Sequence, residues 1–119
     1  MRLSDSELLI MREIWQLGHP VSAGELVTAF SPTRGWKIQT VSTFLSRLVE
    51  KGMLSCQKVS GQNRFSPKVS EETYRAQETQ EFLRTVHGGS VKNLVAALYD
   101  SHGLGPEEIA ELKQWLKER

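Results

Sequence analysis

The stretch "IQTVSTFLSRLVEKGML", Ile38 to Leu54, decides how this chain folds. Val41, Phe44, Leu45, Leu48 and Val49 recur at i, i+3, i+4, i+7 and i+8, which lays a single apolar stripe along an α-helix. Such a stripe requires other helices to cover it. The opposite side carries Gln39, Thr40, Ser42, Thr43, Ser46 and Arg47, with Lys37 just ahead of the helix. Most of these residues weaken a helix relative to Ala, Lys or Glu, so helix propensity does not account for them. Short hydrogen-bonding side chains do let a helix lie deep in the major groove of DNA, where Gln pairs with adenine and a Thr methyl meets that of thymine. Arg47, one turn past Thr43 on the same side, is placed to clamp a phosphate. The plainer reading is a solvated face that happens to be rich in Ser and Thr.

Upstream, two further helices announce themselves by their caps. In "LSDSEL", Ser4 is the N-cap, Glu7 its capping-box partner, and Leu3 and Leu8 a hydrophobic staple, so a helix is predicted from about Asp5 to Leu17, ending at Gly18. "VSAGEL" repeats the device with Ser22, Glu25, Val21 and Leu26, which predicts a short helix over roughly Ala23 to Phe30 followed by a loop, "SPTRG".

Downstream, "MLSCQKVSGQNRFSPKV" predicts two short strands, Met53 to Lys58 and Asn63 to Ser66, joined by a turn at Ser60 and Gly61 and ended by Pro67. Three helices and a hairpin make the plan of a winged helix-turn-helix, in which Lys58 and Arg64 on the hairpin approach the neighbouring DNA backbone. A hairpin that simply covers the core satisfies the same pattern.

Composition bounds these readings. With 119 residues the chain forms one or two small folding units, of a size that often gains stability by pairing with another copy. No apolar run approaches the roughly 20 residues that span a bilayer, and the N-terminus lacks a signal pattern, which points to a soluble cytoplasmic protein. Cys56 is the only cysteine, so an intramolecular disulfide and a cysteine metal cluster are excluded; a half-buried strand position is expected for it. His19, His87 and His102 are scattered beside Gly or Pro without ligand spacing, and no metal or other cofactor is expected. Residues 1 to 70 hold nine Lys and Arg against five acids, and residues 71 to 119 hold six against nine. The net +4 of the first part suits a polyanion partner, and the −3 of the second does not.

The remaining segment reads as a second unit. Ser70 caps a helix from about Glu71 to Val86, "HGGS" breaks it, Ser90 starts another from Val91 to about Asp100, and Pro106 opens a last one whose first turn holds Glu107 and Glu108. The expected division is 1–69 for a winged-helix domain and 70–119 for a three-helix dimerisation region. Phe82, Leu83, Val86, Leu94, Val95, Leu98, Tyr99, Leu104, Ile109, Leu112, Trp115 and Leu116 exceed what so small a bundle can hide. A homodimer interface would cover the excess, and folding back onto the first domain is the alternative.

"LSDSELLIMREIWQLG", "TVSTFLSRLVEKGML", "FSPKVSEETY" and "GGSVKNLVAALYDSHGLGPEEIAELKQWL", in this order over nearly the whole chain, resemble the landmarks of the penicillinase repressor family (BlaI/MecI/CopY type). The resemblance implies a mainly α fold with a small β-hairpin and a C-terminal helical dimerisation region, and a homodimeric repressor that binds a palindromic operator upstream of resistance genes, commonly for β-lactams. It implies that Thr40 and Thr43 face the major groove and that Arg47 holds a phosphate. Family members often open this helix with Ser or Thr at the cap, where this chain has Lys37 followed by Ile38. It further implies relief of repression through a membrane sensor with a metalloprotease domain, by cleavage near Ala97 and Leu98, where close penicillinase repressors have Asn-Phe. The cysteine motif of the copper-responsive branch is absent from "LKQWLKER". Rival classes are a winged-helix module that binds protein rather than DNA, and an enzyme, for which no suitably spaced acids, His-Cys pair or phosphate-cradling glycine loop is found.

Overall fold

The computed structural model describes residues 2–119. In chain order it contains α1 (Asp5–Leu17), α2 (Ala23–Arg34), α3 (Ile38–Glu50), β1 (Leu54–Val59), β2 (Gln62–Pro67), α4 (Glu71–His87), α5 (Val91–Asp100) and α6 (Pro106–Lys117). Two compact units divide within α4, one running to Glu78 and the other comprising Thr79–Arg119.

The first unit is built on helix ends that behave as the sequence dictates. Ser4 and Ser22 each accept a hydrogen bond from the backbone N–H three residues on, and the Glu7 and Glu25 carboxylates accept one in return from the capping residue's N–H. Leu3, Ile10, Met11 and Ile14 of the α1 region, Leu26 of α2 and Val41, Leu45 and Leu48 of α3 are buried together in one core. Phe44 is partly buried against that core, but Val49, expected on the stripe, lies at its rim and is exposed. A stripe spread over i to i+8 drifts around a straight helix, and the last member passes out of the contact.

The helix α2 corrects one expectation. It runs through Pro32 to Arg34 instead of stopping at Phe30. Pro32 forfeits a single hydrogen bond in the last turn, and the helix ends where Gly35, at φ 64°, donates to Phe30 O and Ser31 O. Packing holds the extra turn, because Phe30 stacks at 4.9 Å on Trp36, which in turn lies 5.2 Å from Phe44 of α3.

A backbone device turns the chain from α3 into the hairpin. Gly52, at φ 78°, donates to Val49 O, and Met53 donates to Leu48 O, a Schellman closure with Met53 and Leu48 both buried. Strands β1 and β2 then pair antiparallel, Leu54 opposite Pro67 and Val59 opposite Gln62, across a two-residue turn with positive φ at both Ser60 and Gly61. That is the turn geometry whose twist suits a hairpin. Its base is fastened at several points. Val21 and Phe65 exchange both backbone hydrogen bonds, Lys68 donates to Met53 O, and Trp15 Nε1 donates to Val69 O. Tyr74 of α4 is buried 5.9 Å from the Trp15 ring. Within β1 Leu54 alone is buried, and at the level of Cys56 it is Phe65 of β2, opposite it, that enters the core, so Cys56 is exposed and not half-buried as its strand position suggested.

In the second unit, Ser90 caps α5 by accepting from Asn93 N, and the His87 ring is 2.6 Å from Asn93 Oδ1. No residue of α5 or α6 is buried.

Glu7 is the one charged side chain among the described residues that is buried, and its Oε1 lies 2.6 Å from Lys51 Nζ at the end of α3. Burial alone would raise its pKa, but the Lys51 hydrogen bond, the Ser4 hydrogen bonds and the lysine charge outweigh it and hold the carboxyl below its ordinary value. The native state therefore binds fewer protons here than the unfolded chain. This stability is present above the ordinary carboxylate range and is lost as pH falls through the lowered native value. Urea titrations at pH 7 and below the ordinary carboxylate range should show this loss, with a shallower pH dependence in Glu7→Gln. At the core, Leu45→Ala should cost about 2–5 kcal/mol. Gly52→Ala should cost about 1–2 kcal/mol from left-handed backbone strain alone, because a Cβ there meets no atom within 4 Å. The same denaturant series measures both.

Candidate nucleic-acid interface

Burying Val41, Leu45 and Leu48 fixes the rotation of α3, and the rotation decides what the helix shows to solvent. Lys37, Gln39, Thr40, Ser42, Thr43, Ser46 and Arg47 are all exposed. The structure thus brings together on one surface every α3 residue singled out from the sequence.

The electrostatics of this helix differ from those of its neighbours. The N-cap, Lys37, makes no side-chain cap hydrogen bond, and the first turn holds no acid. Its first N–H groups and their partial positive charge are left for an external acceptor. Among the described residues, no acidic side chain pairs with Lys37, Arg47 or Lys58. Thr43 donates its hydroxyl hydrogen to Gln39 O at 2.9 Å. This back-bond leaves the oxygen lone pairs and the methyl group as what Thr43 can offer a partner.

The hairpin divides its two basic residues. Lys58 is exposed on β1 near the turn, whereas Arg64 on β2 donates to Glu25 Oε1 at 2.8 Å and so ties the wing to the start of α2. The sequence marks Glu7 and Glu25 as capping residues, and nothing local to either marks its basic partner, Lys51 or Arg64. The Val21–Phe65 bridge was equally hidden, since Val21 carries an ordinary staple signal and nothing local marks a partner 44 residues on.

The residues expected at a dimer interface lie in α4, α5, α6 and the segment joining the last two. Phe82, Val86, Val95, Leu98, Leu112, Trp115 and Leu116 are exposed, with Trp115 at 47% and Leu116 at 56%, while Leu94, Leu104 and Ile109 are half-buried. Ala97 and Leu98 are exposed in the middle of α5. No group of His, Cys, Asp and Glu among the described residues is arranged to hold a metal ion, and no helix is long and apolar enough to cross a membrane.

Three helices with a polar face on the third, flanked by a hairpin pinned to the first interhelical loop, define a winged helix-turn-helix protein. The chain matches the family of the penicillinase repressor over residues 3–118, and it belongs to that family. It is 31% identical to the penicillinase repressor of Bacillus licheniformis over 98% of this chain and 91% of the relative. It is 25% identical to the methicillin resistance regulatory protein MecI of Mammaliicoccus sciuri over 98% of this chain and 94% of that one. The fold is similar, at a TM-score of 0.53 and 31% identity, to the solution structure of monomeric Bacillus licheniformis BlaI in complex with the blaP half-operator, covering 62% of this chain and 89% of the other.

Because the α3 face is solvated and outside the core, replacing Ser46 or Arg47 with Ala should leave the urea midpoint nearly unchanged, within about 0.5 kcal/mol. A larger loss would show that these side chains serve the fold.

Proposed function

We propose that this chain is a homodimeric repressor that occupies a palindromic operator with the exposed face of α3 in the major groove. The observation that carries the reading is that face itself, polar, acid-free in its first turn and flanked by unpaired cations, in a chain of the penicillinase repressor family. Gln39, Thr40, Ser42, Thr43 and Ser46 meet base edges, with the Thr43 methyl toward a thymine, while Lys37 and Arg47 hold phosphates. Lys58 extends the contact along the adjacent backbone, and Arg64 keeps the wing in place through Glu25.

Dimerisation supplies the second half of operator affinity. The exposed apolar side chains of the second unit, from Phe82 and Val86 through Val95 and Leu98 to Leu112, Trp115 and Leu116, form surface that a second copy would cover. Joining two half-site binders makes the second contact intramolecular, so avidity contributes much of the strength. The half-sites are then expected about one helical turn apart, or a multiple of it. Resistance genes are the expected targets, in the cytoplasm. Cleavage near Ala97 and Leu98, triggered by a membrane sensor-protease pathway, would cut the apolar surface in two and release the operator.

Selection of bound duplexes from a random pool should enrich a palindrome. Arg47→Ala should weaken binding to all sequences alike and lower the salt slope by about one counterion. Thr43→Ala should alter preference at one position per half-site by about 1–3 kcal/mol. A fragment ending at Glu78, which retains Tyr74 in the core, should fold and bind the same palindrome poorly. If the folded full-length chain enriches no sequence, it is a protein-interaction module instead.

A further inference from the structure

Glu7 carries more charge than its cap requires. An N3 Gln completes a capping box as well as Glu does, because the box needs only an acceptor. Here the residue is a carboxylate with 1% exposure, so its charge has to be compensated within the fold. Its Oε1 accepts from Ser4 N at 2.8 Å and from Lys51 Nζ at 2.6 Å, while Oε2 has no hydrogen-bond partner. Lys51 is the C-cap residue of α3, four positions after Arg47, and also donates to Arg2 O at 3.3 Å. A lysine at the end of a DNA-facing helix would ordinarily be free to contact phosphate; this one is turned inward onto α1.

We propose that Glu7 and Lys51 are positioning residues for the recognition helix. Their ion pair fixes the last turn of α3 against the first turn of α1 and thereby sets the height of Thr43 and Arg47 over the groove, while holding Lys51 away from DNA. The proposal rests on the DNA-binding reading above. The same construction recurs at Glu25, which caps α2 and takes Arg64 from the wing, but that pair is roughly one-third exposed on each side. Solvent screens it, and it is the weaker of the two anchors.

The consequence concerns discrimination more than bulk affinity. Base contacts demand register to a fraction of an ångström, whereas attraction between cations and the phosphate backbone tolerates displacement. Loss of Lys51 leaves a buried carboxylate without its cation, so the carboxyl takes up a proton or the α1–α3 contact opens to hydrate it, and in either case the ion pair no longer pins the end of α3.

The test uses the full-length chain, the duplex it selects from a random pool, a scrambled duplex of the same length, and a salt series. Lys51→Met should lower the ratio of selected to scrambled affinity about tenfold, the equivalent of misreading one base pair, with the salt slope unchanged. Lys51→Arg should restore the ratio, because a guanidinium fork can engage both Oε1 and the unpartnered Oε2. Glu7→Gln keeps the cap but frees Lys51, so the ratio should fall while the salt slope steepens by about one counterion. A folded Lys51→Met chain with wild-type discrimination would overturn the proposal, as would a slope reduced by about one counterion, the mark of a direct phosphate contact. Amide exchange in the absence of DNA separates the two readings. The Lys51, Gly52 and Met53 N–H groups, which close the end of α3, should exchange at least about tenfold faster in Lys51→Met and recover in Lys51→Arg. Unchanged exchange overturns the positioning role even if operator binding stands, whereas faster exchange in a chain that selects no sequence would uphold the anchoring of α3 and remove the DNA reading alone.

Discussion

The rotation of α3 about its own axis is the constraint on which the rest depends. Val41, Leu45 and Leu48 are essentially inaccessible, and a turn of the helix by one residue would expose apolar surface and bury hydroxyls without partners. The core therefore selects one orientation, and the polar face follows from it without any interaction of its own. This is why residues of poor helix propensity are tolerated there: packing of the opposite side holds the helix, as it does for most amphipathic helices in proteins.

Orientation also needs control along the helix and at its ends. At the N-terminal end, Trp36 between Phe30 and Phe44 sets the approach of the chain, and at the C-terminal end Gly52 and the Glu7–Lys51 pair set the exit. The wing is fixed by the same economy of parts. Val21, which staples the start of α2, bridges Phe65, and Glu25, which caps it, binds Arg64. One short segment between α1 and α2 thus holds both the start of α2 and the hairpin, so the wing is seated on the helix that packs against α3.

The second unit solves a different physical problem. Ser90 caps α5 and Glu108 accepts from Gly105 N at the start of α6, yet α5 and α6 bury no side chain, and large apolar groups stay in contact with water. A segment of this size has too little interior to enclose them. Local signals make the helices here, and the second copy proposed above would complete the packing.

The sequence by itself determined the helices, most of their ends and the face of α3, because caps, glycines and the 3.6-residue stripe are local and act within a turn or two. The boundaries of α1, α5 and the start of α6 agree with their punctuation, and the Thr- and Ser-rich face emerges from periodicity alone. The tertiary structure decided what depends on distant groups. It carried α2 past Pro32, placed Val49 and Cys56 in solvent, and gave Glu7 and Glu25 their cations. A capping motif specifies the hydrogen bonds of its own turn, but the charge left on the carboxylate is matched only when folding brings Lys51 or Arg64 to it from about 40 residues away.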